Sequence, residues 1–326
     1  MKKILVTGGC GFIGSHLSEY LLKLGYHVRV FDRYNSDNNW GWLEHSKNKK
    51  EIEVVLGDIR DFDSVLKASH GYKNIIHLAA LIGIPYSYVS PLAYIKTNAE
   101  GTYNVLECAK MGKFENVILT STSEVYGSGI NFPMNEYHRL LGQSPYSASK
   151  IAADQLGLSY FNSFDLPIKI IRPFNTFGPR QSARAIIPTI FSQIYSKSKL
   201  IKIGNLNTTR DFTYVLDLCV AFEKLLKCKK NISYGNIFNV GSNNEISIKE
   251  LISVIQNVTG INKKILIEKK RIRKKSSEVS RLRCDYSLFN NLTGWKPSNS
   301  INDGLKIFNN WYLNNRQVYK PKHYNV

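Results

Sequence analysis

The apolar residues of this chain fall into short runs separated by amphipathic stretches. Ile4 to Val6, Val28 to Phe31, Glu53 to Leu56, Asn74 to Leu78, Asn116 to Thr120 and Ile168 to Ile171 read as strands, each a brief aliphatic run bounded by polar or turn-forming residues. Between them, helical periods occupy residues 15 to 24, 61 to 69, 97 to 111 and 146 to 164. Alternation of this kind predicts the α/β class, a doubly wound parallel sheet with helices on both faces. After Pro173 the pattern loosens. Pro179, Pro188, Gly204 and Gly235 punctuate shorter elements, a helix is expected over Ile248 to Gly260, a basic strand region follows, and Ile301 to Leu313 reads as a last helix.

The first strand runs into Gly8-Gly9-Cys10-Gly11-Phe12-Ile13-Gly14, directly ahead of a helix. Glycines at 8, 11 and 14 permit a tight turn, close approach of backbone to a pyrophosphate and close packing of helix on strand, while the helix start offers free amides. The second strand ends in Asp32, 18 residues beyond Gly14. A carboxylate there accepts hydrogen bonds from the adenosine ribose hydroxyls and favours NAD over NADP. Arg33 beside it offers a guanidinium to a 2′-phosphate, so NADP stays as the second reading. The expected organisation is a Rossmann domain over 1–172 and a smaller, mainly substrate-binding domain over 173–326, some of whose segments return to the first.

Composition narrows the class. Five cysteines are scattered without a Cys-x-x-Cys pair, which argues against a metal site or disulfide framework and for a reducing compartment. The apolar stretch after Lys2 and Lys3 stops at Thr7, too soon for a signal peptide, and no run is long enough to span a membrane. The expectation is a soluble, cytoplasmic protein. A formal charge of +19 admits nucleic acid, an anionic membrane surface or anionic small substrates as partners. Much of it lies in Lys263, Lys264, Lys269, Lys270, Arg271, Arg273, Lys274 and Lys275, around a single Glu268. That segment reads as a solvated strand and loop with one or two side chains facing a bound phosphate. No zinc knuckle, helix-turn-helix or aromatic-basic signature accompanies it, so neither nucleic acid nor a membrane is expected as a partner.

Two stretches carry chemistry. In Tyr146-Ser147-Ala148-Ser149-Lys150, tyrosine and lysine stand four apart near a helix start and share a face. An ammonium beside a phenol lowers its pKa, making Tyr146 the candidate base for a substrate hydroxyl. Ser121-Thr122-Ser123-Glu124 follows the strand ending at Thr120, where ligands of such sheets bind. Thr122 is placed to hydrogen-bond the same hydroxyl, and Glu124 is a second acid-base; capping of the next turn is the other reading of Thr122 and Ser123. His77 reads as a satisfied histidine at a strand end.

These residues, with Gly57-Asp58-Ile59, His77-Leu78-Ala79-Ala80, Asn98 to Thr102, Arg172-Pro173-Phe174-Asn175, Phe177-Gly178-Pro179-Arg180 and Thr209-Arg210-Asp211-Phe212, resemble the extended short-chain dehydrogenase/reductases that act on nucleotide sugars. The resemblance covers nearly the whole chain. It implies that Leu78, Ala79, Ala80 and Asn98 line the NAD site, that Asp58 and Ile59 flank the adenine, and that Asn175, Arg210 and Arg281 hold the nucleotide diphosphate. Arg210 paired with Asp211 is the alternative. Family members commonly dimerise through helices matching 97–111 and 146–164, so a homodimer is expected.

Tyr34-Asn35-Ser36 with Trp40-Gly41-Trp42-Leu43, the run Gln181 to Pro188, and Ser277-Glu278-Val279 with Arg281 look most like the 4,6-dehydratases of legionaminic acid pathways, which act on GDP-N-acetylglucosamine. In that reaction Tyr146, with Lys150 and Thr122, takes the C4 hydroxyl proton; Glu124 takes the C5 proton and, with Ser123, assists departure of the C6 hydroxyl. The dTDP-glucose dehydratases have an Asp where this chain has Ser123, whereas the Ser-Glu version is similar to that of GDP-mannose dehydratases. UDP-glucuronate decarboxylases and 4-epimerases are the rivals, with Arg184 or Arg281 available to a uronate carboxylate.

Overall fold

The computed structural model describes residues 2–228 and 230–320. The first half builds β1 (Lys3–Thr7), α1 (Phe12–Lys23), β2 (His27–Arg33), β3 (Glu53–Gly57), α2 (Phe62–Ser69) and β4 (Asn74–His77). Short helices α3 (Ile84–Val89) and α4 (Pro91–Tyr94) lead through a π-helical turn, Ile95–Glu100, into α5 (Gly101–Met111), followed by β5 (Asn116–Thr120), α6 (Pro145–Phe164) and β6 (Ile168–Pro173). The second half continues with β7 (Asn175–Phe177), α7 (Ile186–Ile194), β8 (Leu200–Ile203), β9 (Thr209–Tyr214), α8 (Val215–Lys227) and α9 (Lys230–Ser233). It ends with β10 (Asn236–Val240), β11 (Glu245–Ser247), α10 (Ile248–Thr259), β12 (Lys264–Ile267), α11 (Ser287–Thr293) and α12 (Ile301–Asn314).

Seven strands form one sheet in the order β10-β6-β5-β4-β1-β2-β3, every pair parallel. The order reverses between β1 and β4, and the crevice at the C-terminal ends of such a pair is where α/β sheets bind ligands. The aliphatic runs of the inner strands are buried on both faces: Ile4, Leu5 and Val6 of β1 and Val117 and Ile118 of β5 are all inaccessible. That explains why they read as continuous apolar runs rather than alternating ones.

One core lies between the sheet and α1, α8 and α11, with Leu17, Leu21, Phe222, Phe238, Phe289 and Trp295; the opposite core holds Val105, Leu106, Tyr160 and Ile168. Part of the chain beyond residue 172, including β10 and α8, is therefore packed with the sheet. A separate core joins α7, α10 and α12 to β8 and β9. Sheets β11-β9-β7 and β12-β8 belong to this second body.

The segment after β2 ties the two bodies together. Trp42 donates its amide to the Cys10 carbonyl of the glycine turn at 3.1 Å and meets Trp311 of α12 edge to face, ring centroids 5.6 Å apart. Among the described residues no helix is long and apolar enough to cross a membrane.

Candidate active site

The glycine turn is shaped by contacts that leave no room for side chains. Gly8 has φ +71°, and a Cβ there would lie 2.7 Å from the Ala79 amide; a Cβ on Gly14 would collide with the Gly8 carbonyl oxygen. Gly11 stands at the N-cap of α1 with no side chain capping the first turn, so amides at this helix start remain for an anion. The side chains of Phe12 and Ile13 pack against the second body's core. Thr7 fastens the far wall: its Oγ1 accepts the Leu78 and Ala79 amides, each at 3.2 Å, and pairs with His77 Nδ1 at 2.7 Å. His77 also meets Thr102 at 3.2 Å, and burial pulls its pKa down to about 3. It is a satisfied structural histidine.

Asp32 accepts the Cys10 amide at 2.7 Å and the Arg33 amide at 2.8 Å, one on each oxygen. Each oxygen keeps a lone pair for a ribose hydroxyl, so the cradle and its acid fit a dinucleotide. Arg33 is exposed beside it. Asp58 is held by Arg60 through two of its guanidinium nitrogens, and burial of that carboxylate is outweighed so that its pKa is lowered. Ile59 is buried in the core, and its carbonyl accepts Asn104 Nδ2 at 3.0 Å. Asn98, in the π-helical turn, bonds the Leu81 amide and carbonyl at 2.8 and 2.9 Å and Ser149 Oγ at 2.9 Å. It shapes the loop that begins at Leu78 and carries Ala80. Both its amide hydrogens are spent on the protein, and its oxygen keeps one lone pair.

The start of α6 is fixed by a capping box. Ser144 Oγ accepts the Ser147 amide at 3.1 Å, Ser147 Oγ accepts the Ser144 amide at 2.9 Å, and Pro145 occupies the first helical position. This places Tyr146 just inside the helix and Lys150 one turn on, both buried. Across from them Thr122 caps the short 3-10 turn Ser123–Tyr126 by accepting the Glu124 amide at 3.2 Å. The same hydroxyl is a hydrogen-bond neighbour of the Tyr146 phenol, so capping and contact with Tyr146 coexist. Ser123 and Glu124 are buried in that turn, 2% and 9% exposed.

The expected depression of the Tyr146 pKa by Lys150 is corrected here. Burial pushes the phenol well above its usual value, Thr122 opposes that, and the neighbouring charge of Glu124 adds to it. Lys150 Nζ donates to the Thr120 carbonyl at 2.6 Å, and desolvation draws its own pKa down to about 8 against the pull of Asp154. Spacing alone brought the pair to one face; burial decides the sign.

Behind the site runs a buried network that the sequence did not reveal. Asp154 Oδ2 accepts Ser121 Oγ at 2.8 Å and Arg172 Nε and Nη2 at 3.0 Å each; Arg172 Nη1 donates to Tyr126 Oη at 2.9 Å, and Tyr126 donates to Asn239 at 2.7 Å. It locks α6, the end of β5, the turn bearing Glu124 and β10 together.

The substrate-binding candidates divide. Arg210 is buried, donates to the Thr209 carbonyl at 2.8 Å and pairs with Glu278 at 3.4 Å. Burial lowers its pKa, with Glu124 and Glu278 resisting. It does not pair with Asp211, which accepts Ser242 and the Cys284 amide instead and is raised by burial to about 6. Arg273, which the sequence left in the solvated basic run, reaches the same Glu278 at 3.6 Å. Two guanidiniums thus share one carboxylate, and one of them, Arg210, also lies in the field of Glu124; the cue for Arg273 was its position five residues before Glu278, hidden among other cations. Asn175 Oδ1 is buried without a hydrogen-bond partner. Arg184 lies against Gly83, whose carbonyl accepts Tyr94 Oη at 2.5 Å; Tyr94 in turn meets Tyr146 edge to face at 6.2 Å. Arg281 is clamped by both oxygens of Glu245, at 2.9 and 2.8 Å, and lies over the Phe132 ring. Its carboxylate partner is Glu245, whereas Arg210 and Arg273 share Glu278.

The model of the GDP-mannose 4,6 dehydratase family matches residues 5–308. The chain belongs to that family. This dehydratase-family chain is 31% identical over 366 residues to a dTDP-D-glucose 4,6-dehydratase of Dictyostelium discoideum, covering 98% of this chain and 83% of that one. It is also 31% identical over 321 residues to a UDP-N-acetyl-alpha-D-glucosaminuronate decarboxylase of Bacillus cytotoxicus, covering 95% and 98%. Among solved structures it resembles a dTDP-glucose 4,6-dehydratase of Bacillus anthracis in complex with NAD, with TM-score 0.87, 28% identity and coverage of 98% and 99%. The family is one of extended short-chain dehydrogenase/reductases working on nucleotide sugars, and the parallel seven-stranded frame agrees with it.

Proposed function

We propose that this protein is an NAD-dependent nucleotide-sugar 4,6-dehydratase acting on GDP-N-acetylglucosamine. The observation that carries the reading is the buried meeting of Tyr146 and Thr122 with Glu124, in a turn held against Lys150 and Asp154. Oxidation at C4 alone needs one base, and elimination across C5 and C6 needs a second acid-base, which Glu124 provides.

Gly8, Gly11, Gly14 and the open start of α1 would hold the NAD pyrophosphate, and Asp32 its adenosine ribose. NAD held there would supply reversible hydride acceptance, from C4 and back to C6, so the net change would be loss of one water. For Tyr146 to take the proton of the C4 hydroxyl, with Thr122 orienting that oxygen, its phenolate has to be favoured against burial, which the Lys150 ammonium one helical turn on and the positive nicotinamide of a bound NAD would do. The resulting ketone acidifies C5–H, and Glu124 takes that proton. Glu124, with Ser123, delivers that proton to the C6 hydroxyl, which leaves as water; Tyr146 gives up its proton to solvent, and a solvent proton returns to C5 as the hydride is added at C6. Arg210, Arg273 and Asn175 hold the diphosphate, and Arg184 stands near Tyr94 and the reacting ring.

The base guanine and the 2-acetamido group rest on the resemblance of residues 34–43, 181–188 and 277–281 to the legionaminic acid dehydratases. A homodimer through α5 and α6 agrees with the exposed Tyr103, Met111 and Phe164 on those helices. The free, widely spaced cysteines suit a reducing cytoplasm.

The test is incubation with GDP-N-acetylglucosamine, UDP-N-acetylglucosamine, GDP-mannose and UDP-glucuronate separately in deuterated water, followed by mass spectrometry. Loss of one water from the first, with deuterium at C5, is expected. Carbon dioxide from the uronate, or no mass change with any substrate, sinks the reading in favour of the decarboxylase or an epimerase.

A further inference from the structure

Two lysine-rich segments far apart in the chain are joined by the fold into one surface. Residues 195–207 hold three lysines and no acid; residues 263–275 hold eight cations and only Glu268. Eleven cations against one carboxylate account for ten of the chain's nineteen net positive charges. Parallel pairing of β12 with β8 lays the two segments side by side, with Leu266 opposite Lys202.

The pairing also fixes what each side of this small sheet faces. Ile201 and Ile203 are buried in the second body's core, so the platform is rigid. Lys202 and Lys264 lie outward, and among them Leu266, Ile267 and Ile272 are 42%, 55% and 48% exposed. Three of the cations are committed: Lys263 donates to the Gln193 and Ser196 carbonyls at 2.7 Å each, Arg273 faces Glu278, and the largely buried Arg271 pairs with Glu268. Glu268 is shared among Arg271 at 2.6 Å, Lys270 at 3.5 Å and Lys202 at 3.9 Å. One acid divided three ways leaves the face strongly positive.

The mixture selects the kind of partner. A lone positive field suits any polyanion, but single-stranded nucleic acid is gripped by stacking on aromatic side chains, and the exposed apolar residues here are aliphatic. Aliphatic side chains among lysines match the boundary of an anionic bilayer, where acyl chains meet phosphate headgroups. We infer that the β8–β12 face is a docking surface for an anionic lipid bilayer, with the lysines on the headgroups and Leu266, Ile267 and Ile272 in the interface. The expected solvated strand and loop are present as β12 and the exposed residues after it; the pairing with β8, invisible in the sequence, adds the second half of the face. It is independent of which sugar the active site takes.

The experiment is sedimentation of the whole protein with vesicles of phosphatidylcholine alone and of phosphatidylcholine with phosphatidylglycerol, at about 0.1 M salt. Binding only to the phosphatidylglycerol vesicles is expected. Lys269→Glu with Lys270→Glu and Lys274→Glu should lower partitioning at least about tenfold. Ile267→Ser with Ile272→Ser, which keeps every charge, should lower it by about tenfold as well. Thermal melting of both variants guards against misfolding, since all five positions are exposed. Absence of sedimentation with the anionic vesicles overturns the proposal. So does a serine variant that binds vesicles as well as the parent while the parent binds polyuridylate, which would assign the face to a polyanion.

Discussion

Replacing Asp154 by asparagine tests whether the buried network sets the state of the catalytic lysine. Asp154 and Arg172 are each 1% exposed, and the carboxylate takes two guanidinium hydrogen bonds and the Ser121 hydroxyl. Asparagine keeps the shape and removes the charge. Arg172 and Lys150 are then two buried cations without that carboxylate, and breaking a buried pair from one side costs about 3–5 kcal/mol. A second effect reaches the chemistry. Burial has already drawn Lys150 down to about 8, and Asp154 is the charge that opposes this; without it the ammonium is lost at lower pH.

Urea unfolding should show the loss of stability, and the pH dependence of turnover should show its alkaline limb moving to lower pH. The double variant Asp154→Asn with Arg172→Met separates the two effects. Removing both partners restores most of the stability, because a whole buried pair can be exchanged for apolar atoms at little cost. The alkaline limb stays displaced, because Lys150 still lacks its carboxylate. A stability loss below about 1 kcal/mol in the single variant, or an alkaline limb that does not move, refutes the reasoning.

Glu124→Gln should leave oxidation at C4 possible while lowering water loss and C5 deuteration by about 10²- to 10⁴-fold, read by mass spectrometry. Arg273→Ala should weaken binding of a nucleoside diphosphate by about tenfold or more, measured by calorimetry, because Arg210 then keeps Glu278 to itself; unchanged affinity would remove Arg273 from the site. His16 Nε2 donates to the Pro179 carbonyl at 3.0 Å, and burial pulls its pKa down to about 4. A depressed folded value means that the unfolded chain takes the proton first, so this contribution is whole above about pH 6.5 and drains away as pH falls toward 4. From pH 7 to 5 it amounts to about 2 kcal/mol, and His16→Gln should lose about that much less in urea melts at the two pH values. Gly14→Ala should abolish dinucleotide binding, monitored by cofactor fluorescence, since the new methyl meets the Gly8 carbonyl.

What could be read in the sequence was local. The strands, the glycine turn with Asp32, and the Tyr146–Lys150 pair are fixed by residues within one element or one turn, and α6 begins at Pro145, one residue from expectation. Relationships set by distant parts of the chain were not legible. Arg172 is named by a short motif, yet its partner Asp154 lies 18 residues earlier on α6. Arg273 looked like any cation of its run until the fold brought it to the carboxylate that Arg210 uses. Arg281 was assigned by likeness to the diphosphate and is held by Glu245, a residue of β11 with no cue beside it in sequence. The sign of the Tyr146 shift escaped for a different reason: spacing gives proximity, whereas a pKa also depends on how much water is removed.

Charge balance around the site bears on the substrate. Lys150, Arg172, Arg210, Arg273 and Arg184 stand on or near the reacting end, and the carboxylates facing them are Asp154, Glu124 and Glu278. Five cations against three carboxylates leave an excess of two. Arg281 does not enter the count, because Glu245 already neutralises it. A nucleoside diphosphate sugar brings about two negative charges through its diphosphate, which closes the balance with a neutral hexose attached. A uronate adds a third, with no further cation to meet it among the residues gathered here. Counting these side chains alone, the uronate is the less well matched sugar, and its affinity tests that count. Comparing the affinities of GDP-N-acetylglucosamine and UDP-glucuronate with those of the free diphosphates isolates the sugar's contribution: the uronate should lose affinity relative to UDP, and a uronate that gains it would mean that an uncounted cation reaches the site.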